Sequence, residues 1–123
     1  MEAFCVISVG ELVDKLAVLA VKLKNIDDDE KKKAITKEYY ALQKTLSKMN
    51  ILNYEKYLQN LIIVNEIIWN AVNKAWEKEK KNEIDLEFAK ITREILIEND
   101  NRFKIKEKIN LYYSSDIQEI KSY

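Results

Sequence analysis

The chain has 123 residues, 47% apolar and 34% charged, and its 21 basic side chains are balanced by 21 acidic ones. A net charge of zero makes no sustained positive field for a nucleic-acid backbone or an anionic membrane, and no apolar run approaches the roughly 20 residues of a bilayer span, so neither partner is expected. One cysteine and no histidine take away an internal disulfide, the commonest metal ligand and the commonest general base, so no metal or cofactor is expected and the cytoplasm is the default address.

There is no proline and a single glycine, Gly10, so hardly anything in the chain can break a helix. Long helices in one domain, 1–123, are the expectation. Residues 1–7 lack the basic leader and long apolar core of a secretory signal and read as an extended lead-in. Ser8 and Glu11 then form an S-x-x-E capping box that starts a first helix near Val9. Val9, Leu12, Val13, Leu16, Leu19, Ala20 and Leu23 give it one apolar stripe, and residues 25–29 end it. Asp28 or Asp29 can cap a second helix with a narrow seam of Ile35, Tyr39, Leu42, Leu46 and Met49. Its Lys31-Lys32-Lys33 run reads as solvated surface.

Asn53 is expected to cap a third helix, in which Tyr54, Tyr57, Leu58, Leu61, Val64, Ile68, Ala71, Val72 and Ala75 keep the helical period to about Lys81. About 28 residues make roughly 42 Å, longer than the roughly 35 Å diameter of a compact globule of this size, so the monomer should be elongated. Ile62, Ile63, Ile67, Trp69 and Trp76 widen the apolar surface beyond one stripe, which calls for cover on two sides by helices or by a second subunit.

Asp85 can cap a fourth helix that turns Phe88, Thr92, Ile95 and Leu96 inward and runs to about Tyr113, where Ser114-Ser115-Asp116 stops it. Ile117, Ile120 and Tyr123 of the tail can then pack back on the bundle. Midway along this helix the apolar stripe lapses. Asn99, Arg102, Lys106 and Asn110 fall at i, i+3, i+7 and i+11, nearly on one face. Arg102 is one of two arginines, and its planar fork suits a carboxylate or phosphate. The gap is therefore either an anion pocket between helices or a partly buried pair of Arg102 with Glu66, Asp14 or Asp100 that fixes helix register or dimer geometry; the pair is favoured.

Glu11, Asp14 and Lys15 put an E-x-x-D carboxylate pair on the first helix, and Glu66, Glu98 and Asp100 offer further oxygens of the kind Mg²⁺ takes. The capping box already accounts for Glu11, however, and no second carboxylate pair supports a metal. The tryptophans and tyrosines lack basic interleaving and read as core or interface. Cys5 has no activating neighbour.

The run Ser8-Val9-Gly10-Glu11-Leu12-Val13-Asp14-Lys15-Leu16, the cluster Val64-Asn65-Glu66 with Trp69, the stretch Asn99-Asp100-Asn101-Arg102 with Lys106, Ile109 and Asn110, and the ending Lys121-Ser122-Tyr123 together resemble a small bacterial family of domain-of-unknown-function proteins. The resemblance spans nearly the whole chain and departs from the family's pattern at Ala17, Ala20 and Ile120. It implies no activity. It implies instead a complete protein whose three polar clusters converge.

The expectation is an all-α, four-helix, elongated up-down bundle with two long central helices, probed best at a polar cluster of Glu11, Asp14, Lys15, Asn65, Glu66, Asn99, Asp100, Arg102, Lys106 and Asn110. It should serve as a helical binding or assembly module, homodimeric, with room for a small anionic ligand. The alternative is a Mg²⁺-dependent phosphoester or pyrophosphate hydrolase with Glu11, Asp14, Glu66 and Asp100 on the metal and Arg102 and Lys106 on the phosphate.

Overall fold

The computed structural model describes residues 1–115 and 119–121, in which four helices follow one another: α1 (Val9–Asn25), α2 (Asp29–Lys48), α3 (Tyr54–Lys80) and α4 (Leu86–Tyr112). The chain is an all-α four-helix bundle. Among the described residues there is no strand, and no helix is long and apolar enough to cross a membrane.

Three of the helices begin as their capping residues dictate. Ser8 Oγ accepts the Glu11 N–H at 3.0 Å, Asp28 accepts that of Lys31 at 3.0 Å, and Asp85 accepts that of Phe88 at 2.9 Å. α3 departs from expectation. Asn53 sits at its cap position in the left-handed region (φ 64°), and its side chain caps nothing. Its service is conformational, since asparagine is among the few residues that accept this backbone geometry. Asn50, Asn82 and Ser114 do the same at φ 52°, 55° and 52°. Asn82 and Ser114 close the two long helices, where Glu83 N–H returns to the Lys78 carbonyl at 2.9 Å and Ser115 N–H to that of Asn110 at 2.8 Å.

α1 packs against all three other helices, while α2 packs against α1 alone. The centre of the bundle is therefore the short first helix and not the long pair, because α1 is apolar over most of its circumference. Leu12, Val13, Leu16, Ala17, Leu19 and Val21 are all buried. Leu46, Leu61 and Ile109 join them from the other three helices to complete the core.

α3 and α4, 27 residues each and about 40 Å long, form an antiparallel hairpin that outreaches the 17-residue α1. From residue 72 to residue 105 no side chain is fully buried. The hairpin is closed at its tip by Lys78, whose ammonium meets Asp85 at 2.8 Å, Glu87 at 3.3 Å and Glu83 at 3.5 Å. Asp85 first, and then Glu87, hold Lys78 protonated well above the usual lysine range against the opposing cost of burial.

Some expected core positions are not core. Met49 (41% exposed) lies beyond the α2 seam, and Leu96 (66%) faces solvent, the C-terminal end of α1 being engaged with Glu66 of α3. Ile120 (90%) does not fold back on the bundle, and Ile117 and Tyr123 lie outside the described residues.

Candidate functional site

The first turn of α1 is set directly on the last turns of α4. Gly10 N–H donates to Asn110 Oδ1 at 2.7 Å and Val9 N–H to Ser115 Oγ at 3.3 Å, so two donors that a helix start leaves unpaired are satisfied across the interface. A Cβ on Gly10 would lie 2.6 Å from the Lys106 carbonyl oxygen and 2.9 Å from Asn110 Oδ1. Only glycine permits so close an approach, which explains the one glycine of the chain.

One turn further along α1, Asp14 is 1% exposed and gathers three helices. From α4, Arg102 Nε donates to both carboxylate oxygens at 3.0 Å, and a terminal guanidinium nitrogen donates to Oδ2. From α3, the Asn65 amide donates to Oδ1 at 2.9 Å and also to the Leu61 carbonyl at 2.9 Å. Lys106, 7% exposed, lies beside this pair with its ammonium 2.7 Å from Glu11, 3.0 Å from Glu119 and 3.9 Å from Asp14. Glu119 in turn contacts Lys121 at 2.9 Å.

The charges balance locally. Burial works to lower the pKa of Arg102, but the hydrogen bond and charge of Asp14, with Glu11 and Glu119 behind it, outweigh this and the net shift is upward. Lys106 follows the same pattern, its burial outweighed by hydrogen bonds to Glu11 and Glu119. Glu119 is held below the ordinary carboxylate range, chiefly by Lys121 and then by Lys106. Each cation thus stays charged because a carboxylate of its own chain faces it.

Of the ten residues singled out from the sequence, Glu11, Asp14, Asn65, Arg102, Lys106 and Asn110 meet at this junction. The others do not. Lys15 is exposed and, among the described residues, reaches only Glu11, at 3.9 Å. Glu66 turns to the far end of α1, where it pairs with Lys24 at 3.6 Å and accepts from the Asn25 amide at 3.3 Å. Neighbours on a helix point about 100° apart, which separates Glu66 from Asn65. Asp100 pairs with Lys104 at 3.1 Å one turn along the outside of α4, and Asn99 is half-buried one turn before Arg102. Gly10, Ser115 and Glu119 belong to the site as well. The first was visible as the lone glycine between Ser8 and Glu11, of which only Ser8 caps the helix while the Glu11 carboxylate goes to Lys106; nothing in the spacing of the tail marks Glu119.

The proposed metal quartet is therefore broken up: Glu66 and Asp100 are engaged elsewhere. Among the described residues no group of three carboxylates is disposed to hold a metal ion. The acceptor sites of Asp14, about four on a carboxylate, are taken by Arg102 and Asn65. No family model, no curated protein and no solved structure matches the chain.

Proposed function

We propose that this chain is a non-catalytic helical binding or assembly module that acts as a homodimer in the cytoplasm, with the Asp14–Arg102 cluster as an internal fastening between α1, α3 and α4. One observation carries this reading: the guanidinium of Arg102 and the ammonium of Lys106, the two groups best suited to an anionic substrate, are both occupied by carboxylates of the chain itself. The fit with the resemblance noted above is that Glu11, Asp14, Asn65, Arg102, Lys106 and Asn110 come one or more from each of its three polar motifs.

Thermal melting with Mg²⁺, inorganic phosphate and pyrophosphate tests the reading. A fastening gives no ligand-dependent rise in Tm, and Arg102→Ala lowers Tm equally in every buffer. A rise in Tm that disappears in Arg102→Ala would overturn it in favour of an anion site, since a ligand that binds only the native state stabilises by mass action.

A further inference from the structure

We infer that the exposed face of the distal α3–α4 hairpin, centred on Trp76 and Leu96, is the surface on which a second copy of this chain docks. This rests on the assembly reading above and names both its partner and its surface.

The face is identified by following two rows of side chains. On α3, Asn65, Trp69, Val72 and Trp76 follow one another at steps of four, three and four, and therefore share one side of the helix. On α4, Ala89, Thr92, Leu96, Asn99, Phe103, Lys106 and Asn110 alternate steps of three and four. The near ends of both rows are covered by α1: Asn65 meets Asp14, Lys106 meets Glu11, and Asn110 meets Gly10. Beyond those contacts the same side of the hairpin continues with Trp69 and Val72, half-buried, and with Trp76, Leu96 and Ala89, exposed. Trp76 is 60% exposed and Leu96 66% exposed, with Leu86 at 71% at the tip.

This hairpin lacks what a helix pair needs to hold its shape. Residues 72–105 contain no fully buried side chain, and a seam between only two helices leaves most of each apolar stripe wet. A second hairpin laid across the first would make a four-helix layer. The uncovered part, about 20 Å of two adjacent helices each about 10 Å across, has a footprint of roughly 400 Å² per partner, the size of a small interface and of a dimer that forms reversibly with concentration.

The charge around it favours a like partner over a charged one. Residues 69–97 carry six basic and six acidic side chains, so two copies do not repel each other and neither nucleic acid nor an acidic peptide is drawn in. An interface that buries the same patch on both sides closes after one twofold step, which gives a dimer and no larger array.

The test uses the full chain in the variant Trp69→Phe, in which Trp76 is the remaining tryptophan. Light scattering and sedimentation across a concentration series should show the mass double, with Trp76 emission moving to the blue in step with it. Trp76→Glu and Leu96→Glu, each checked for retained helix content by circular dichroism, should be monomeric at concentrations where the parent is dimeric, and Trp76→Phe should restore the dimer. A parent that stays at one chain mass up to roughly 100 μM, where a dimer with any tighter Kd would be populated, overturns the proposal. So does a dimer that survives both Glu variants or forms without any change in Trp76 emission; that outcome relocates the interface and leaves the assembly reading intact.

Discussion

Asp14 shows what a single buried carboxylate demands. Removing its partner in Arg102→Ala leaves an unpaired charge in a site that is 1% exposed, and stability should fall by about 3–5 kcal/mol in urea unfolding. Replacing both partners by apolar residues of similar size, Asp14→Leu with Arg102→Met, should recover most of that loss, because the cost lies in the stranded charge more than in the missing attraction. Gly10 is a second residue whose role is steric. Gly10→Ala should lower stability by about 1–3 kcal/mol in thermal melts even though alanine is the better helix former, since its methyl group meets the Lys106 carbonyl at 2.6 Å. At this scale the sequence was informative where a residue was out of place: Arg102 and Lys106 in an apolar stripe, and one glycine in a chain without others. It was silent on which of several carboxylates Arg102 would choose, because that choice depends on the rotation of α1 about its axis, and helical spacing does not set it.

At the level of the helices, the starts of α1, α2 and α4 were readable from Ser8, Asp28 and Asp85, whose side chains do what their types favour. The start of α3 was not, because asparagine serves two purposes: a hydrogen-bonding cap or a left-handed backbone. Asn53 takes the second. Asn53→Ala should therefore destabilise by about 1–2 kcal/mol, the cost of forcing an ordinary side chain into the left-handed region, whereas Asn53→Gly should be close to neutral; thermal melts of the pair decide it. Had Asn53 been a true cap, Asn53→Thr would be close to neutral; in the left-handed role a β-branched residue should cost at least as much as alanine. The inner and outer roles of the helices were also misjudged from length. Long helices reach beyond the core, and centrality follows the breadth of the apolar surface, which Leu12, Val13, Leu16, Ala17, Leu19 and Val21 already displayed.

For the whole molecule, the ionisable groups predict how stability follows pH. Glu119 and Asp85 have folded pKa values below those of the unfolded chain, Asp85 because of Lys78 and the Phe88 N–H. Their contribution is present above the unfolded value of about 4 and is lost as pH falls through the lower folded value. Lys106 and Lys78 are shifted upward, so their contribution is complete below the unfolded value of about 10.4 and is lost as pH rises through the higher folded one. With no histidine between them, Tm should be level from about pH 5 to pH 10 and fall on both sides; a step near pH 6–7 would contradict this. The overall class and the elongated outline were legible from composition and period alone, while the meeting of α1 with both long helices was an expectation of the resemblance and not of the period, since it arises from contacts more than 80 residues apart such as Asp14 with Arg102. The asparagines at Asn50, Asn53 and Asn82 carry one more consequence, on the side of the equilibrium that holds no structure. A glycine at any of these bends would let the disordered chain wander through a wider range of backbone angles, favouring it by about 0.4–1 kcal/mol per site. The folded chain tolerates its three awkward bends because its competitor, the denatured ensemble, is narrower for them.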